Sequence, residues 1–275
     1  MIIRRSEWIN IIFFSFLMVM GFFRPLSLRK RLEIIVIGTA GIGLTLVAAY
    51  IPQWTASRAV PVIRDFLPAL LMLFVYWQSG RFFVRPNEWI QEYLLQLDEK
   101  YLGPVLRREP GKSIPSWLAN YLELSYLFCY PLVPLGIVVL YLSGKKNLAN
   151  DYWSIVLLST YFCYVLLPFI QMLPPRMLNP KSETNPEPER IRLLNLNILD
   201  NLSIQVNTFP SAHVASTIAA SLALIGSLPL AGLIFLIISL SIACGAVMGR
   251  YHYAADAVLG IGIACLVSLT EYLVM

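Results

Sequence analysis

Residues 229–249 read PLAGLIFLIISLSIACGAVMG, and residues 250–256 read RYHYAAD directly after them. The first stretch carries no charge. As a helix rising 1.5 Å per residue it is about 30 Å long, the thickness of a bilayer's hydrocarbon core. The second stretch sets Arg250, His252 and Asp256 at the end of that run. Seven more apolar runs surround it, at 8–23, 32–51, 65–80, 117–142, 152–173, 209–226 and 255–274. Backbone groups in lipid must bond within their own segment, and the runs lack the alternation of a β-barrel. The expected fold is therefore all-α, a polytopic membrane helix bundle. The run at 8–23, about 24 Å as a helix, is short for a full span and also suits an interfacial or re-entrant placement.

Composition agrees. The chain is 57% hydrophobic and 13% charged, where a soluble domain carries about 25% charged residues. The net charge of +5 fits Lys/Arg flanks facing anionic lipid rather than a nucleic-acid surface. Cys129, Cys163, Cys244 and Cys265 all lie in apolar runs with no CxxC spacing, so they read as small buried hydrophobes. Arg24-Pro25 follows the first run where a cleavable signal would end in small residues.

Two connections are long and polar. In residues 81–114, apolar side chains recur at Ile90, Tyr93, Leu94 and Leu97, an amphipathic helical pattern. A helix over 87–101 is expected to lie flat on the membrane, with Trp89 and Tyr93 at headgroup level. Residues 174–208 hold Pro174-Pro175-Arg176 and Asn185-Pro186-Glu187-Pro188, which forbid one continuous helix.

The chain has only two histidines, His213 and His252, each in a polar cluster beside an apolar run. Polar groups near lipid are expensive and call for a reason. In Asn207-Thr208-Phe209-Pro210-Ser211-Ala212-His213, Asn207 or Thr208 is a candidate N-cap and Pro210 suits the first turn. A helix N-terminus offers free N–H donors to phosphate, Ser211 adds a hydroxyl, and His213 stands close by. The bland alternative is a capped helix start with an interfacial histidine. His252 and Asp256 are spaced i, i+4, so on a helix they share a face. A carboxylate on one ring nitrogen makes the other a better nucleophile or base. The alternative there is a local hydrogen bond at a helix start. Arg250 and Arg176 are forked donors suited to phosphate oxygens. If the helices alternate in direction, all four motif-bearing ends fall on one membrane face. A metal held by two histidines and a carboxylate is disfavoured by the two arginines beside them.

At these residues the chain resembles the type 2 phosphatidic acid phosphatase (PAP2) superfamily, whose motifs are K-x6-R-P, P-S-G-H and S-R-x5-H-x3-D. Pro174-Pro175-Arg176, Pro210-Ser211-Ala212-His213 and His252-Tyr253-Ala254-Ala255-Asp256 are most similar to its branch with inositol phosphorylceramide and sphingomyelin synthases. The resemblance covers residues from about 65 to 275 and implies a catalytic core of six helices over 64–275, with an accessory apolar helix pair at 1–63. It implies that His252 attacks phosphorus, Asp256 orients it, and His213 protonates the leaving alkoxide. Arg176, Arg250 and Ser211 would hold the phosphoryl oxygens, with no metal or other cofactor. The chain departs from the pattern in three places. Phe169 stands at the family lysine, Ala212 at the glycine and Ala246 at the arginine. Arg250 lies four residues beyond Ala246, one helical turn away.

Three functions follow as expectations: a lipid phosphatase, a lipid phosphotransferase with an alcohol acceptor, and a lipid transporter or binding protein without chemistry. Glu123, in the run at 117–142, is the best support for the third, against a plain hydrogen bond to Tyr126 or a neighbouring helix. Lys/Arg bias places the motif face in the cytoplasm, whereas the resemblance implies the outer or lumenal side. The expected partners are a lipid phosphate and membrane lipids, not nucleic acid.

Overall fold

The computed structural model describes residues 3–55, 57–106, 114–178 and 190–274. The proline-rich Asn185–Pro188 stretch lies outside them. The helices are α1 (Arg5–Phe23), α2 (Leu28–Tyr50), α3 (Ala59–Gly80), α4 (Glu88–Leu106), α5 (Ser116–Leu127), α6 (Cys129–Leu142), α7 (Ala149–Val165), α8 (Pro175–Leu178), α9 (Arg190–Leu202), α10 (Ala212–Ile225), α11 (Pro229–Met248) and α12 (Ala254–Val274). Among the described residues the only β element is an isolated Met172–Asn207 bridge. Helices α1, α2, α3, α11 and α12 are long and apolar enough to cross a membrane, and α5 with α6 makes one more span bent by 60°. The chain is a multi-pass integral membrane protein.

The first apolar run gives a helix long and apolar enough to cross a membrane. Its helix starts at Arg5, ahead of the run, reaches 19 residues, and packs on α2, α3 and α7. Its polar first turn is tolerated because each group finds a partner. Glu7 takes the Arg64 guanidinium at 2.6 and 2.8 Å, Arg4 pairs with Asp65, and Arg5 reaches Glu271 at 2.6 Å. The Ser6 hydroxyl donates to Asn150 Oδ1 at 3.0 Å. These pairs gather the starts of α1, α3 and α7 with the end of α12 on one face. The opposite ends, which carry the polar motifs, therefore share the other face.

Two helices are shorter than their apolar runs suggest. The run at 152–173 gives α7, which stops at Val165, and the run at 209–226 gives α10, a helix of 14 residues. Both are buried along most of their length. Enclosed by protein rather than lipid, they have no need to match the bilayer's thickness. Small residues make α10 the central packing element. Ala215, Ser216, Thr217, Ala219, Ala220 and Ser221 are all buried and let α7, α11 and α12 approach closely. Its hydroxyls bond back to the helix, as Ser221 does to the Thr217 carbonyl at 2.8 Å.

Gly245 lets α11 meet α5. A Cβ there would lie inside contact distance of the Leu122 carbonyl oxygen, a backbone atom that cannot swing aside. Gly245→Ala is expected to cost about 1–3 kcal/mol through overpacking. Thermal unfolding in detergent checks this, and an unchanged midpoint would refute it.

Candidate active site

His252 and Asp256 meet, though not on one helix. The α12 helix begins at Ala254, so His252 sits in the preceding loop, where its N–H donates to the Ala246 carbonyl at 3.0 Å. Its Nδ1 lies 3.3 Å from Asp256 Oδ2. An ionised carboxylate only accepts, so Nδ1–H donates and the Nε2 lone pair is left free. The same Oδ2 accepts the Tyr253 N–H at 3.0 Å and the Asn207 amide at 2.6 Å. Asp256 is fully buried, and its Oδ1 has no partner. Neither Asn207 nor Thr208 is the expected N-cap, because α10 begins only at Ala212, and Pro210 lies ahead of the helix rather than in its first turn.

Ser211 takes the capping role, with its Oγ accepting from the Val214 N–H at 3.4 Å. Its own N–H donates to the Asp256 carbonyl at 3.0 Å, which ties the two motifs together backbone to backbone. The Ser211 O–H is left to donate elsewhere. His213, second residue of α10, presents its ring 6.0 Å from the His252 ring, centre to centre, at 76°. Tyr76, Tyr126 and Tyr130 surround it at 6.2, 6.2 and 5.6 Å.

The two arginine-bearing loops meet by a different route from the one spacing implies. Helix α11 ends at Met248, and Arg250 adopts φ 56°, a left-handed conformation uncommon outside glycine. A helical step from position 246 to position 250 therefore does not exist. The Arg250 carbonyl accepts the Arg176 N–H at 3.0 Å, and its guanidinium donates to the Pro175 carbonyl at 3.4 Å. The Arg176 guanidinium lies over the Tyr251 ring, 5.7 Å from its centre. Its Nη2 donates to Gln205 Oε1 at 3.5 Å, and its charge reaches Tyr76, Tyr126 and Tyr130, the rings around His213. Arg250 is near enough to Asp98 and Tyr253 to act on them electrostatically. Ala246 is fully buried against Tyr126, Leu199 and Tyr251. Phe169 is half exposed beneath the Arg24 guanidinium.

Several supporting residues have no motif to announce them. The Glu123 carboxylate, 6% exposed, accepts from Tyr251 Oη, Arg192 Nη1 and Asn195 Nδ2, each at 2.6 Å. Its neighbouring-helix alternative holds, with Arg192 and Asn195 of α9 as partners, and Tyr251 rather than Tyr126 supplies the hydroxyl. A carboxylate so fully engaged is no free station for cargo. On α4, Trp89 and Tyr93 are exposed and stacked, so Tyr93 stands apart from Leu94, with which the amphipathic pattern grouped it. The buried side, however, carries Gln91, Leu94 and Asp98. The two polar residues turn inward because backbone N–H groups await them, Leu173 N–H at 3.0 Å for Gln91 and Ala254 N–H at 3.2 Å for Asp98. Among the described residues, no group of three His, Cys, Asp or Glu side chains has the geometry to hold a metal.

The model of the PAP2 superfamily matches residues 113–270, more than half of the chain, and the chain belongs to that superfamily. A search of the curated proteins and a search of the solved structures each gave no match. Membership supports a phosphatase-type activity on lipid phosphates at the level of the family.

Proposed function

We propose that this protein hydrolyses a lipid phosphate or diphosphate ester through a phosphohistidine on His252. The observation that carries the reading is the oriented pair. Asp256 holds His252 Nδ1, and the His213 ring faces it 6.0 Å away. His252 Nε2 attacks phosphorus while the bond to the lipid oxygen breaks, and that oxygen takes a proton from His213. Asp256 stabilises the positive charge that the ring gains on forming the P–N bond. A water then gives a proton to His213 and attacks phosphorus, the P–N bond breaks, and phosphate leaves. Arg176, Arg250, the Ser211 hydroxyl and the start of α10 meet the charge on the phosphoryl oxygens. Fixed cations and dipoles can serve a loose phosphoryl-transfer transition state in this way. Residues 64–275 form the catalytic core in this reading, with 1–63 as an accessory helix pair.

The test is an assay of purified protein on a panel of lipid phosphates, with and without alcohol acceptors, beside His252→Ala. Phosphate release, with label from the lipid phosphate trapped on the wild type alone and stable in alkali but not acid, is the expected result. Headgroup transfer that requires the alcohol would replace hydrolysis by phosphotransfer. Binding without any turnover would replace both by a transport or binding role.

A further inference from the structure

We infer that Gln91 and Asp98 are positioning residues, through which helix α4 holds the Arg176 loop and the His252 loop at a fixed separation. The inference rests on the phosphohistidine reading above and adds two residues to it. Positions 91, 94 and 98 follow one another along the inward face of α4. Gln91 Oε1 accepts from the Leu173 N–H, one residue before the Pro174-Pro175-Arg176 turn. Leu94 packs between Met172 and Tyr253, one neighbour from each loop. Asp98 accepts from the Ala254 N–H at 3.2 and 3.4 Å and so caps α12 in trans, two residues after His252. A single helix thus grips both loops at three successive points.

The outer face of the same helix carries Trp89, Tyr93 and Tyr101, 76%, 53% and 69% exposed. Such side chains favour the headgroup layer. The seat of α4 on the bilayer surface therefore sets the position of the catalytic loops, which links the site to the membrane that supplies its substrate.

A cap alone does not explain why residue 98 is an aspartate. Asn and Ser cap as well as Asp does. Burial raises the Asp98 carboxyl from 3.8 to about 6, and the nearby Asp256 adds to this. The Ala254 N–H and Arg250 oppose the shift. Asp256, Tyr253 and Arg250 are the titratable and charged groups facing it, with His252 bound to Asp256 behind them. A carboxylate kept where ionisation is disfavoured costs stability once pH favours ionisation. The folded-state value lies above the unfolded one. The stability that Asp98 contributes is therefore complete below its unfolded value and falls away as pH rises through about 6.

The experiment uses the full chain reconstituted in liposomes with a lipid phosphate, and reads kcat, KM, pH profile and melting temperature. Asp98→Ala is expected to lower kcat about 10–100-fold with KM little changed, since misplacement of about 1 Å costs on this scale. Gln91→Ala should lower kcat in the same manner. Asp98→Asn still accepts from Ala254. It should keep kcat within a few-fold at about pH 7.5, lose the step in the pH profile near 6, and melt no lower than wild type there. Wild-type kcat in Asp98→Ala would overturn the inference, as would equal losses in both Asp98 variants that track their melting temperatures. Loss of turnover in His252→Ala beside full activity in Asp98→Ala overturns this inference alone. Full activity in His252→Ala overturns the phosphohistidine reading and this inference with it.

Discussion

His252→Ala is expected to lower turnover by about 10⁴-fold or more while lipid phosphate binding survives. The variant removes the atom that would bond to phosphorus, and no other described side chain is placed to substitute. His213 stands second on α10 with its ring among Tyr76, Tyr126 and Tyr130, and no carboxylate hydrogen bond orients it. Binding rests on other groups, namely Arg176, Arg250 and Ser211 in the proposed site. Asp256→Asn should fall short of that loss at about 10²–10⁴-fold, because it spares the nucleophile and disturbs its tautomer and charge stabilisation. Single-turnover rates with a binding measurement on each variant decide the matter. A His252→Ala protein retaining a tenth of wild-type turnover would remove His252 from the chemistry.

The second large effect concerns stability. Glu123→Ala is expected to destabilise the protein by about 3–5 kcal/mol, the cost of stripping one partner from a buried ion pair. Arg192 would lose its carboxylate at 2.6 Å, and Tyr251 Oη and Asn195 Nδ2 would lose their acceptor. Glu123→Gln should cost less, because its amide oxygen still accepts from one or two of these donors. Activity should suffer as well. Tyr251 precedes His252, stacks on Tyr126 at 4.2 Å, and Tyr126 in turn sets its edge against His213. Unfolding midpoints in detergent test this, and a Glu123→Ala loss below about 1 kcal/mol would show that the network contributes little.

The fold was legible where the physics is local. Uncharged runs such as 229–249 announce helices because lipid leaves the backbone no other partner. The helical period of 87–101 announced α4, although Tyr93, grouped with Leu94 by that period, is exposed while Leu94 is buried. The same period failed at Gln91 and Asp98, which a polarity pattern assigns to solvent. Their partners are backbone N–H groups at Leu173 and Ala254, far away in sequence. The run at 152–173 misled for a related reason. Hydropathy measures distaste for water and does not distinguish a lipid-facing helix from one enclosed by its neighbours, as α7 is.

The candidate site divides in the same way. The order and spacing of Arg176, Ser211, His213, Arg250, His252 and Asp256 can be read from the chain, because a catalytic motif is a short-range statement about which side chains stand near one another. The i, i+4 link between His252 and Asp256 was of this kind and survives even though His252 lies outside the helix. Where each cation points was decided only in three dimensions. The left-handed turn at Arg250 sends that residue toward Pro175 and Asp98, while Arg176 settles over Tyr251. By itself the sequence determined that the chain crosses the membrane and brings two histidines and a carboxylate to one face. The tertiary structure decided which polar residues support the oriented histidine, where its arginines point, and how Glu123 is occupied. Those outcomes depend on hydrogen-bond partners between distant segments, and such partners exist only once the helices have packed.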